Sequence, residues 1–311
     1  MLVSSQDLEK QLSHLQNANL DPCAGLFGPA SLLWKVNRES LMFLGAGRAL
    51  LLQLSHPWVA AAIVDHSGAV NDPLTRFHQT FSVMFSMLFG TVDQAFGAAR
   101  KLHRRHCSIR GLLAEPAGPF PAGTPYLAND RHVLQWVHST LIETATIIYE
   151  LALSPLSQEE REAFYGESCR FAGLFGLSRS ALPADWAAFA HYSETMRQSD
   201  TLAVAAPARM LAREIFGDRG NWMRPPNWYQ AITTQLLPPR LREAFGFPFG
   251  RAEQFIAQRA LRWISRTYTL LPFNVRYVGP YQEAQARLSG RAPSLITETS
   301  NQIWIGQKRL S

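Results

Sequence analysis

Apolar positions recur at three- and four-residue spacing along most of the chain, and breaks between the stretches coincide with glycine and proline clusters. The pattern predicts helices near 31–55, 58–66, 73–88, 91–112, 129–153, 158–174, 183–197, 202–213, 229–235, 239–245, 251–269 and 281–288. Ser157 with Glu160 three residues on reads as a capping box, and Asp72-Pro73 as an N-cap followed by proline at the first helical position. No alternating run is long enough for a sheet, and only Thr297 to Ile305 suggests extended chain. The expected fold is all-α: a polar helical segment over 1–29, a helical core over 30–200 and a basic helical extension over 201–311, packed as one large domain.

Composition fits a large buried core. Of 311 residues, 47% are hydrophobic and only 17% charged, which excludes global disorder. Three cysteines, Cys23, Cys107 and Cys169, with no CxxC spacing, exclude a disulfide framework and a cysteine-built zinc site. The first residues lack the pattern of a secretory signal. The greasiest stretch, 41–67, is interrupted by Arg48, Gln53, His56 and Pro57, so it reads as core helix and not as a membrane span. Cytoplasmic location is the expectation. The formal charge of +6 has an uneven origin: residues 251–311 hold nine Arg or Lys against three Glu, a surplus equal to that of the whole chain. Basic and aromatic side chains interleave there (Arg259, Arg262, Trp263, Arg266, Tyr268), which suits either a solvated helix face or peripheral contact with an anionic membrane. No nucleic-acid-binding motif accompanies them, so nucleic acid is not an expected partner.

Several chemistries are absent. There is no GxxxxGK[ST], HExxH, GxSxG or CxxCH, and Gly45-Ala-Gly47 lacks the third glycine and the preceding strand of a dinucleotide fingerprint. It reads as close helix packing. What remains is histidine and arginine inside apolar helices, where an unpartnered polar group costs about 1–3 kcal/mol. Arg76, Gln79 and Thr80 share one helix face at i, i+3 and i+4, beside the apolar Val83, Met84, Phe85 and Phe89. Such a face suits an anionic cofactor edge and a polar ligand within an apolar slot; it also suits an ordinary helix start with Arg76 paired to Asp72. His103 and His106 stand one turn apart, followed by Arg110. A neutral imidazole ligates haem iron well, and a nearby arginine neutralises a propionate. The same histidines lack an evident third ligand for zinc, and the run also suits a plain basic helix end. Arg48 calls for a carboxylate or propionate partner, His56-Pro57 reads as a helix junction, and His138 as a satisfied core histidine.

Five segments in order carry a resemblance: GRALLLQLSHPWVAAAIVDHS (47–67), DPLTRFHQT (72–80), HCSIRG (106–111), TPYLANDRHVLQWVHSTL (124–141), and Leu174-Phe175-Gly176 followed by Leu182-Pro183. Together they resemble the family of the mycophenolic-acid pathway oxygenases and the latex-clearing rubber oxygenase. The resemblance implies an all-helical protein with non-covalent haem b that uses O2 on a hydrophobic, isoprenoid- or alkene-like small molecule. It implies His106 as the proximal iron ligand, with His103 as the fallback. It places Arg76 and Thr80 on the distal helix, and Arg76 and Arg110 toward the cofactor, with Arg48 a further cofactor candidate from its place in an apolar helix. Gln79 stands where the rubber-cleaving member has a lysine able to reach iron; an amide is a poor ligand, which points to an open or water-filled sixth position and away from rubber. Two other readings stand beside this one: a haem-dependent dehydrogenase or peroxidase-like enzyme, and a metal-free helical binder of lipids or terpenoids. The substrate, the electron donor and the oligomeric state are not written in the sequence.

Overall fold

The computed structural model describes residues 1–17, 21–66, 73–216 and 225–311. Sixteen α-helices and one two-stranded ribbon are found among them, so the fold is all-α as expected. The first six helices are α1 (Ser5–Gln16), α2 (Leu32–Asn37), α3 (Ala46–Leu54), α4 (Pro57–His66), α5 (Pro73–Phe89) and α6 (Val92–Ser108). Strands β1 (Arg110–Leu112) and β2 (Pro125–Leu127) then pair antiparallel, with Arg110 opposite Leu127. The central helices are α7 (Arg131–Ala152), α8 (Gln158–Gly173), α9 (Trp186–Gln198) and α10 (Ala206–Phe216). The chain closes with α11 (Asn227–Leu236), α12 (Pro239–Phe245), α13 (Arg251–Thr267), α14 (Phe273–Arg276), α15 (Gly279–Leu288) and α16 (Leu295–Ile305).

α7 is the central element, buried along most of its length and touching α2, α3, α8, α9 and α13. Its start is fixed by Asp130, which accepts from the backbone N–H groups of His132 and Val133. The largest apolar cluster gathers Trp34, Phe89, Phe164, Tyr165 and Phe171, and Trp34 Nε1 donates to the Leu88 carbonyl at 2.7 Å. The carboxylate of Glu167 caps α2 by accepting from Leu32 and Leu33 N–H. The Ser157–Glu160 capping box is present as read from sequence. Asp72, and with it the expected cap of α5, lies outside the described residues.

Three expectations are corrected. The long helix over 31–55 is broken into α2, a 3-10 turn at Ser40–Gly45, and α3. The break falls at Glu39, whose backbone is extended and bridges Tyr277, and whose buried carboxylate takes Arg276 at 2.9 and 3.0 Å. A long-range ion pair thus overrides local helical periodicity. The helix expected over 91–112 stops at Ser108, because Arg110 to Leu112 pair with β2 instead. Thr297 to Ile305 is not extended: α16 covers it, capped by the Ser294 hydroxyl and ended by Gly306 in the left-handed region. Gly306 also meets the His78 ring so closely that a Cβ would come within 2.6 Å. Gly45 and Gly47 do serve helix packing. A Cβ on Gly45 would sit 2.4 Å from Thr144 Cγ2 on α7, and one on Gly47 would sit 2.6 Å from Thr233 Oγ1 on α11.

Candidate active site

α6 carries the central residue. Thr91 and Gln94 form a capping box at its start, and its last turn ends in Arg105 and His106. The end of α6 is anchored from two sides. Asn129, buried just before α7, donates to the His103 carbonyl at 3.4 Å and to Cys107 Sγ at 3.3 Å. Its own carbonyl accepts from Val3 N–H, which brings the N-terminal segment against the site. His103 Nε2 lies 3.4 Å from Ser5 Oγ at the start of α1.

His106 is held neutral. Burial pushes its imidazole down to about 4; the Asn129 side chain opposes this, and the charges of His103, Arg105 and Arg76 reinforce it. A neutral imidazole keeps a lone pair for a metal or an acid. A small hollow of about 10 Å³ lies against Ala99, Leu102, His103, His106, Leu134 and Phe175, enough for one water and no more.

Across from His106 stands α5, packed along α6. Arg105 Nη1 donates to Gln79 Oε1 at 3.0 Å, tying the two helices at this end. Arg76 is half-buried; burial and the charge of Arg105 lower its pKa. No described carboxylate pairs with Arg76 or Arg105; Asp72, the alternative partner expected for Arg76, lies outside the described residues. The arrangement is a neutral imidazole beside two guanidinium groups that repel one another, and a carboxylate ligand would relieve that repulsion. Thr80, further round α5, is exposed. Val83 and Met84 are half-buried. Phe85 and Phe89 instead turn into the core, where Phe89 meets Trp34 at 5.3 Å and Tyr281 at 5.7 Å. Val83 and Met84 also pack against that core, so the apolar slot expected from all four is not formed by them.

Of the anticipated cofactor residues, Arg48 stands elsewhere and Arg110 is open to solvent. Arg110 is exposed on β1, and its carbonyl lies 3.0 Å from His66 Nε2. Arg48 is buried and fully engaged by protein. It reaches Glu143 Oε2 at 2.6 Å, Thr144 Oγ1 at 2.5 Å and the Leu236 carbonyl at 3.0 Å. Thr144 is ten residues beyond Leu134 on α7, about 15 Å along the helix from the hollow beside His106. Arg48 instead lines a separate cleft of about 620 Å³ with Glu194, Arg197 and Arg240. His56 packs against Trp58 and Phe120, and His138 Nε2 lies 2.9 Å from the Ser168 carbonyl. Both are core histidines, pushed down to about 4 by burial.

The residues that sequence reasoning did not single out are Asn129 and Arg105. Asn129 lies within the TPYLAND segment, but only the fold shows that its amide reaches back to the end of α6. Arg105 was one cation in a basic run until its bond to Gln79 gave it a direction. Among the described residues no group of three His, Cys, Asp or Glu is arranged to hold a metal ion. Any metal at His106 would therefore have to bring further ligands of its own, as a porphyrin does.

Residues 34–267 match the sequence model of the family described as ER-bound oxygenase mpaB/B'/rubber oxygenase, catalytic domain. No curated protein and no solved structure matches the chain. The match covers α2 through α13 and includes α5, α6 and the Asn129 segment. On that span, the chain belongs to the mpaB and rubber oxygenase family and carries its oxygenase catalytic domain.

Proposed function

We propose that this protein is a haem b-dependent oxygenase acting with O2 on a hydrophobic, isoprenoid- or alkene-like small molecule, with His106 as the axial ligand. The observation that carries the reading is the half-buried, neutral imidazole of His106 beside the Arg76 and Arg105 pair, within the family's catalytic domain. The donor set fits the group: one uncharged nitrogen for iron, and two cations without a described carboxylate for the propionates. The hollow on the His103 side is too small for a porphyrin, so the proposal puts the group between the imidazole and α5.

Bound haem would supply the activation of O2, chemistry that no side chain here provides. The protein's own part is positioning. Asn129 fixes the end of α6 and orients the His106 ring, and such support of a ligand is worth 10–100-fold in affinity. Arg76 and Arg105 bind carboxylates, and Arg105 holds the Gln79 carbonyl so that the amide NH2 group is the end left to donate. Thr80 offers a hydroxyl donor on the same helix.

The test is product analysis with isotopically labelled dioxygen and short polyprenoid alkenes. Label retained in a cleaved or oxygenated product supports the proposal. A product oxidised without label, or turnover that needs peroxide and not O2, points to the dehydrogenase or peroxidase-like chemistry instead.

A further inference from the structure

α13 and the segment after it form a surface that the oxygenase reading does not use. One side of α13 is packed: Ala257 is fully buried, and Ala260, Leu261 and Ile264 lean on Ala231 and Ile232 of α11. At about 100° per residue the opposite side presents Phe255, Arg259, Arg262, Trp263 and Arg266. Phe255 is 59% exposed and Trp263 is 68% exposed. The chain then leaves the helix through a turn that exposes Leu270 at 79%, with Leu271, Phe273 and Val275 after it. Scattered apolar residues on a surface are ordinary, but a run of this size on one helix face and its continuing turn is not.

The charges on this face also lack described carboxylate partners, though Arg262 Nε donates to the Gln258 carbonyl. Arg251, Arg259, Arg262 and Arg266 make no ion pair with a described carboxylate, whereas Arg276 nearby is committed to Glu39. The one acid on the helix, Glu253, is turned back to cap it at Gly250 N–H. Four unpaired guanidinium groups thus alternate with an indole, a phenyl ring and aliphatic tips. Duplex or single-stranded nucleic acid would use the arginines but leaves the aliphatic tips without a role. A partner that carries anionic headgroups above an apolar layer uses both.

We propose that this face docks the protein on an anionic lipid surface. The arginines contact headgroup phosphates and carboxylates, while Phe255, Trp263, Leu270, Leu271 and Phe273 enter the interfacial layer, where an indole is at home. The contact is peripheral: no described helix is long and apolar enough to cross a membrane. The inference stands apart from the haem reading, since the surface shares no residue with the site at His106.

Flotation of the full-length protein with phosphatidylcholine vesicles, with and without phosphatidylserine, tests it directly. The expected result is association with the phosphatidylserine vesicles only, weakening steeply as salt is raised. The triple variant Arg259→Glu/Arg262→Glu/Arg266→Glu should bind at least about 100-fold more weakly, because each cation at a membrane surface is worth about a factor of five to ten. Trp263→Ser and Leu270→Ser should each weaken binding without changing the melting temperature, since both side chains are exposed. Absence of binding by the parent at low salt, or equal binding by the triple variant, overturns the proposal. So does a face that instead drives self-association, seen as a dimer abolished by Trp263→Ser, or nucleic-acid binding without vesicle binding.

Discussion

Removing Glu143 should unfold the protein at a markedly lower temperature. Arg48 is 3% exposed and its charge is balanced by one carboxylate, 2.6 Å away. The other oxygen of Glu143 holds Arg197, whose own pKa is lowered by burial and by the charge of Arg48. In Glu143→Ala, Arg48 loses its only carboxylate and faces Arg197, which keeps Glu194 alone. Breaking a buried pair from one side costs about 3–5 kcal/mol, because the surviving charge stays desolvated. Unfolding entropy of about 2.1 cal/mol/K per residue gives about 0.65 kcal/mol/K for a chain of this length. The melting temperature should therefore drop by about 5–8 °C, read by circular dichroism or calorimetry. The double variant Arg48→Met/Glu143→Leu removes both charges and should recover most of the loss. A Glu143→Ala protein melting within about a degree of the parent would refute the argument, as would a double variant less stable than the single one.

The buried histidines predict an acid limit. His56 and His138 are held near 4, below the ordinary value of 6.5, so the unfolded chain binds protons that the folded chain does not. Stability is complete above pH 6.5 and falls as pH drops toward 4, by roughly 3 kcal/mol for each histidine once fully protonated. Denaturation midpoints across that window should show the loss, and His138→Gln should flatten it; an identical pH slope in parent and variant would contradict the assignment. Asn129→Ala should weaken haem retention by about 10–100-fold while His106 remains in place, measured by transfer of haem to apomyoglobin. Unchanged transfer kinetics would remove Asn129 from the ligand's support.

Much of the architecture was legible because helical periodicity and caps are local. The boundaries of α5, α7, α8 and α12 follow from apolar spacing and from signals such as Ser157 with Glu160. The misreadings share a cause in tertiary contact or in under-weighted caps. Glu39 breaks a helix because Arg276, more than two hundred residues away, claims its carboxylate. Thr297 to Ile305 suggested extended chain, yet Ser294 and Gly306 bracket it as helix caps do. At the site, spacing alone brought Arg76, Gln79 and His106 into view. It could not show that Arg105 would tie α6 to Gln79, or that Asn129 would reach back from the start of α7. Arg48 illustrates the converse: its partner class was legible, but only the fold shows that Glu143 supplies the carboxylate, far from His106.

The central claim is that the imidazole of His106 grips haem iron. The most direct measurement is the absorption spectrum of freshly purified protein, reconstituted with haemin where needed, beside the His106→Ala variant and a His103→Ala control. A Soret band present in the parent and in His103→Ala, lost or shifted in His106→Ala, and restored there by added imidazole is the predicted result. A band indifferent to His106→Ala, or a folded parent that takes up no haem, would contradict it.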